Sequence, residues 1–233
     1  MTEPVTKISD SAQFAAATQV SRETLVRLNQ YESLLKVWQP RINLVANATL
    51  ADVWNRHFYD SAQLVPQLPG GGGKLVDLGS GGGFPGLVLA ILLAESGNLG
   101  AEGGLMASQS GAGAWAVTLV ESDSRKAAFL REVARQAGVA VEILSIRIEN
   151  PETQAKLSKA DVVTARALAP LSRLLHLAFP LFGSQTVGLF LKGQNAQAEV
   201  EAARAEWVFD ASLLPSVTAA DASIVVVRGL RRK

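Results

Sequence analysis

Hydrophobic positions along the chain fall into two regimes, separated by a Pro/Gly-rich break, PQLPGGGG, at residues 66–73. Before the break, Leu25, Leu28, Tyr31, Leu34, Leu35 and Trp38 recur three or four apart, the period of a helix with one apolar stripe. Ser21 is a suitable N-cap, with Glu23 in the first turn. Pro40 ends the helix by disfavouring α geometry in Gln39. A second helix is predicted over about Thr49–Leu64, carrying Val53, Trp54, Phe58 and Leu64. Residues 1–20 show little pattern and read as a loosely ordered lead-in.

After the break the rhythm changes. Lys74–Leu78 is a short apolar run between turn signals, hence a buried strand, and an apolar helix runs from Gly86 to about Glu95. Further strands are predicted at Ala116–Val120, Val141–Leu144, Asp161–Thr164, Val187–Leu191 and Ile224–Val227. Helices are predicted between them at Ser124–Ala137, Pro170–Phe182 and Asn195–Glu206. Strands alternating with helices imply an α/β class with a doubly wound, mostly parallel sheet over residues 74–233, preceded by a helical extension over 1–73. In such sheets ligands bind beyond the carboxyl ends of the strands. Residues 96–114, rich in Gly, Ala and Ser and without period, read as a flexible insertion.

Composition narrows the function classes. With 48% hydrophobic and 18% charged residues, the chain can bury a sizeable core. It has no cysteine and two histidines, His57 and His176, so disulfides, thiolate chemistry and a His-rich metal cluster are excluded and no metal is expected. The absence of a long apolar run or a signal-peptide core leads us to expect a cytoplasmic protein without a membrane partner; a monomer is expected as well, although the sequence does not itself give the oligomeric state. Net charge is +1, so a nucleic-acid partner would have to be engaged through a local patch.

The most informative segment is Asp77-Leu78-Gly79-Ser80-Gly81-Gly82-Gly83-Phe84-Pro85-Gly86, placed after a first strand and before a helix, as in a nucleotide-binding turn. No lysine lies between Leu75 and Ser124, which excludes a P-loop. Asp77 would repel a phosphate but suits an ammonium or sulfonium, and Glu121, ending the second strand, can accept from both ribose hydroxyls. Acid, glycines, acid across adjacent strand ends is the pattern expected for S-adenosylmethionine. Further along, Ile148 could flank an adenine, Glu149 could accept from its amino group, and Arg166 could clamp a carboxylate.

These residues, with Trp38, Asn43-Leu44, the Arg56-His57-Phe58-Tyr59-Asp60-Ser61 segment, Gly-Phe-Pro-Gly at 83–86, Ser124–Leu130, Ala165-Arg166-Ala167 and Leu191-Lys192-Gly193, resemble the ribosomal RNA small subunit methyltransferase G family, also called glucose-inhibited division protein B. The resemblance covers roughly residues 25–230. It implies a Rossmann-like enzyme that methylates N7 of one guanine in 16S ribosomal RNA or the small ribosomal subunit, with S-adenosylmethionine held at positions matching Gly79, Phe84, Ile148, Glu149 and Arg166. Two departures stand out: the insertion is long, and Gly82 occupies a position often filled by proline. Guanine N7 has a free lone pair and no proton, so catalysis by positioning is expected and no proton-transfer residue is assigned. Arg56, His57, Arg125, Lys126 and Lys192 are candidates for contacting the RNA, although Arg56 and Asp60 are also spaced as a helical ion pair. Two alternatives remain at this point: an NAD-dependent oxidoreductase on the same plan, and a non-enzymatic RNA-binding module. Against the first, the acid follows the glycines by about forty residues where the dinucleotide fingerprint needs about twenty, although the insertion accounts for most of the excess.

Overall fold

The structure, a computed structural model, describes residues 7–94 and 113–233. Seven strands make one sheet: β1 (Gly73–Leu78), β2 (Trp115–Val120), β3 (Glu142–Leu144), β4 (Ala160–Arg166), β5 (Phe182–Lys192), β6 (Trp207–Pro215) and β7 (Ser223–Arg232). Their order is β3-β2-β1-β4-β5-β7-β6. The first five pair in parallel, and β7 runs antiparallel to both β5 and β6. The mostly parallel, doubly wound sheet expected from the sequence is therefore present.

Period-two alternation sorts the strand residues into two cores. Leu75, Leu119, Val162 and Leu189 face one side, and Val76, Val120, Val163 and Phe190 face the other. The first side is covered by α1 (Ser11–Thr18), α2 (Arg22–Trp38), α3 (Asn47–Leu50), α4 (Asp60–Ala62), α5 (Gly86–Leu93) and α6 (Ser124–Ala137). The second is covered by α7 (Pro151–Leu157), α8 (Leu171–Ala178) and α9 (Ala196–Ala203). One hydrophobic cluster runs without a break from Phe14 and Tyr31 in the N-terminal helices to Leu119 and Val226 in the sheet.

Four expectations need correction. The lead-in is not loose where it is described: Asp10 caps α1 by accepting from the Gln13 amide, and Phe14 is fully buried against Trp54 and Tyr59. The helix expected over Thr49–Leu64 is interrupted. Between α3 and α4 the chain forms a π-helical segment, Trp54–Tyr59, whose wider turn puts Trp54, Asn55, His57 and Phe58 all inside. The helix expected to reach Phe182 stops at Ala178, because Pro180 cannot continue it, and β5 starts at Phe182. Two elements were not expected at all, although each carries its signal. In α7, Asn150 accepts from the amides of Glu152 and Thr153 with Pro151 at the first helical position, and β6 alternates buried Trp207 and Phe209 with outward Val208 and Asp210. The expected insertion lies, apart from Gly113 and Ala114, outside the described residues.

Candidate functional site

Crossovers from β1 through β2 to β3 step one way across the sheet, and those from β4 to β5 step the other way. The strand order reverses between β1 and β4, where a crevice opens at the carboxyl ends. There the structure has a cleft of about 960 Å³. Its floor is the turn Gly79–Gly82, its near wall carries Glu121, Ile148 and Glu149, and its far wall carries Arg56, His57, Asp60, Arg166, Lys192 and Thr218.

The turn's backbone donors are mostly used internally. The Gly79 and Ser80 amides donate to the Val120 carbonyl, and those of Gly83 and Phe84 donate to the Ser80 carbonyl. The Gly81 amide donates to Glu121 Oε2 at 2.8 Å, while Glu121 Oε1 accepts from the Asp123 amide at 2.7 Å. Among Gly79 to Phe84, Gly82 alone has no described partner, backbone or side chain, for its amide. A phosphate-binding nest needs such donors free and convergent. This turn does not offer them. It is also tied down from the helical side: the Tyr31 hydroxyl donates to the Gly82 carbonyl, and the Tyr31 ring stacks on Phe84 with centroids 5.2 Å apart and planes 9° apart. Burial raises the Tyr31 phenol well above its ordinary range, so it stays a neutral donor. Gly83 has φ +94°, and a Cβ there would collide with that hydroxyl.

Asp77 is fully buried beneath the turn and is not part of the cleft wall. Its Oδ1 accepts from Thr164 Oγ1 at 2.7 Å, across to β4, and Oδ2 makes no hydrogen bond of good geometry among the described residues. Burial raises its carboxyl to about 6, against the opposing pull of Ser80, Thr164, the Gly86 amide and Arg166.

Arg166, at the end of β4, is the hub of the far wall. Its Nη1 donates to the Arg56 carbonyl at 2.8 Å and to Asp60 Oδ2 at 3.2 Å, and its Nη2 donates to His57 Nδ1 at 2.6 Å. Its guanidinium carbon lies 5.0 Å from the Phe84 ring centroid. Arginine is donor only, so His57 Nδ1 must be an acceptor and the proton of the neutral ring sits on Nε2. That N–H points to Thr49 Oγ1 at 2.8 Å, and the threonine hydroxyl donates onward to the Ala46 carbonyl at 2.8 Å. Burial, reinforced by Arg166 and Arg56, lowers His57 to about 3 and keeps it neutral. Asp60 Oδ1 accepts from Thr218 Oγ1 at 2.8 Å and from Gln63 Nε2 at 2.8 Å. Asp60 thus pairs with Arg166 from another element, not with Arg56 one helical turn away.

Of the sequence candidates, Gly79, Ser80, Gly81, Phe84, Glu121, Ile148, Glu149 and Arg166 meet at the cleft, as do Arg56, His57, Lys126 and Lys192. Asp77 and Gly83 lie behind it as supports. Arg125 stands outside, its side chain 71% exposed and paired with Asp123 at 3.3 Å. The lysine at 192 is not a free cation, since it is held by Glu199 and the Ala169 carbonyl. Sequence reasoning missed the wall formed by Ser216, Thr218, Ala222 and Ser223, together with Leu44, Thr49 and Glu199. The wall at 216–223 follows β6, one of the two elements outside the sequence expectations.

Fold and cleft together define the class: a Rossmann-like, doubly wound domain with its cleft at the strand-order reversal. A methyltransferase crystal structure from Geobacter sulfurreducens superposes with a TM-score of 0.52 at 12% identity, covering 97% of this chain and 98% of that one. M. jannaschii TYW2, solved in complex with AdoMet, superposes with a TM-score of 0.50 at 14% identity, covering 75% of each chain. The particular family follows from sequence: the model of the rRNA small subunit methyltransferase G family matches residues 24–99 and 110–225, and the chain belongs to that family. It is 49% identical to "Ribosomal RNA small subunit methyltransferase G" of Parvibaculum lavamentivorans, over 96% of this chain and 91% of that protein. It is 48% identical to the protein of the same name from Paramagnetospirillum magneticum, over 91% of this chain and 92% of that protein.

Proposed function

We infer that this protein transfers the methyl group of S-adenosylmethionine to N7 of a guanine in 16S ribosomal RNA, acting as a cytoplasmic monomer on the RNA or the small ribosomal subunit. Residues 74–233 form the methyltransferase domain and 1–73 a helical extension that completes the far wall. One observation carries the reading: the glycine turn at the strand-order reversal uses its own amides internally and is flanked by Glu121, so the cleft accepts a nucleoside with a cationic centre and disfavours a pyrophosphate. The dinucleotide alternative has no such support.

Gly79, Ser80, Gly81, Phe84, Glu121, Ile148, Glu149 and Arg166 are the residues assigned to the cofactor. Each Glu121 oxygen keeps one acceptor site beyond the backbone amide it already holds, enough for ribose hydroxyls. Three of the five N–H groups of Arg166 have described partners, which leaves two for a carboxylate. When bound, S-adenosylmethionine supplies an electrophilic methyl on a sulfonium. The chain's task is to hold a guanine in line with it, and alignment of that kind is worth roughly 7–11 kcal/mol. Neutral His57 has no proton to remove from N7 and serves to orient Arg166.

A thermal-shift comparison tests the cofactor: S-adenosylhomocysteine should stabilise the protein and NADH should not, and the reverse result rejects the reading. Mapping 7-methylguanosine in 16S RNA from cells lacking this protein tests the product. An unchanged methylation pattern would remove the substrate assignment.

A further inference from the structure

The far half of the cleft holds an ion pair that the cofactor reading leaves unused. Lys192 ends β5, its side chain 9% exposed, and Glu199 lies on α9, its side chain 26% exposed; both line the cleft. Lys192 Nζ donates to the Ala169 carbonyl at 2.6 Å and to Glu199 Oε2 at 2.7 Å, and Glu199 Oε2 also accepts from the Leu171 amide at 2.7 Å. Two groups of this pair stay open. An ammonium has three N–H donors and two are used, and Glu199 Oε1 has no hydrogen bond among the described residues. A donor and an acceptor therefore sit side by side in the cleft, next to the Ala167–Pro170 loop that follows Arg166.

We propose that Lys192 and Glu199 form the subsite that reads the Watson–Crick edge of the target guanine, with the Lys192 ammonium on O6 and Glu199 Oε1 accepting from N1–H and the exocyclic N2 amine. The inference rests on the preceding reading of the cleft as a guanine-N7 methyltransferase site. An acceptor beside donors on the base matches a donor beside an acceptor on the protein. Adenine presents the opposite arrangement, an N6 donor beside an N1 acceptor, and leaves both protein groups unpaired. Glu199 has a second effect on the reaction. As the N7 lone pair forms the new N–C bond, the methyl C–S bond breaks and its electron pair stays on sulfur. The positive charge thereby passes from sulfur to the purine, and N1–H and the N2 amine become stronger donors. A carboxylate on that edge interacts more strongly with the transition state than with the neutral base, which is the condition for a rate effect.

The full-length enzyme would be assayed on reconstituted small ribosomal subunits carrying either guanosine or inosine, which lacks the N2 amine, at the target position. Wild type should prefer guanosine by roughly 10–100-fold in kcat/KM, the range for a lost hydrogen bond to a charged group. Glu199→Gln keeps an oxygen for the Leu171 amide and removes the charge. It should lower kcat/KM on guanosine by a similar roughly 10–100-fold, narrow the guanosine-to-inosine ratio, and leave the affinity for S-adenosylhomocysteine unchanged. Equal wild-type rates on both bases overturn the proposal whatever the variant does. A Glu199→Gln loss that is the same on both substrates also overturns it, since a purely structural contact would act in that way. No transfer to either subunit by wild type rejects the methyltransferase reading itself, and this proposal with it.

Discussion

Two buried titratable residues, His57 and Asp77, have opposite effects on the pH dependence of stability. His57 is held near 3 in the folded chain against 6.5 as its ordinary value, so folding binds fewer protons. Its contribution is present above pH 6.5 and is lost as the pH falls toward 3. His57→Gln should flatten the acid limb of stability between those values, as measured by urea unfolding at stepped pH. Asp77 is held near 6 against 3.8, so its neutral form is the one favoured by folding. That contribution is complete below 3.8 and is lost as the pH rises through 6, so at pH 8 a buried carboxylate with one unpartnered oxygen destabilises the apo protein. Asp77→Asn should raise stability at pH 8 by about 1–3 kcal/mol, with the gain shrinking toward pH 4. A variant equally or less stable at pH 8 would show that the charged form is already satisfied there.

At the scale of elements, the glycine turn is held by α2 as much as by the sheet. Tyr31→Phe removes the hydroxyl from the Gly82 carbonyl while keeping the ring stack on Phe84. It should cost about 1 kcal/mol of stability and weaken S-adenosylhomocysteine binding roughly 5–30-fold, as measured by calorimetry. Unaltered affinity would mean that the turn holds its shape unaided. The turn itself was legible in the sequence because Asp77 to Gly86 follows an apolar run and precedes another, and α2 was legible because its stripe is regular. The link between them was not. Tyr31 and Gly82 are 51 residues apart, and nothing in either local pattern announces the contact. The π-helical segment was illegible for a related reason. Asn55 is drawn inward by the Ile8 amide and the Thr218 carbonyl, tertiary partners that override the helical period around it. β6 is a different case, since the alternation of Trp207 and Phe209 with Val208 and Asp210 is legible in the sequence.

At the scale of the molecule, the N-terminal helices share one core with the sheet. Ile8 and Phe14 are 3% and 0% exposed, and Phe14 packs on Trp54 with centroids 5.5 Å apart. Removing residues 1–20 should therefore lower stability by about 3–6 kcal/mol, from the lost apolar burial and the cavity left behind. The measurement is a thermal melt of the shortened chain beside the full one, and coincident melts would demote the segment to an attachment. With a net charge of +1, the surface as a whole offers RNA no strong attraction. Cations at the cleft, among them exposed Arg56 and half-buried Lys126, are where salt dependence should originate.

The bond between Asp60 and Thr218 joins positions 158 residues apart. Thr218 sits in the turn between β6 and β7, so Asp60, which holds Arg166, is itself held from the far end of the sheet. The cleft thus belongs to the assembled chain rather than to any one stretch of it, and its far wall is only as well formed as the contact between segments that lie far apart in sequence.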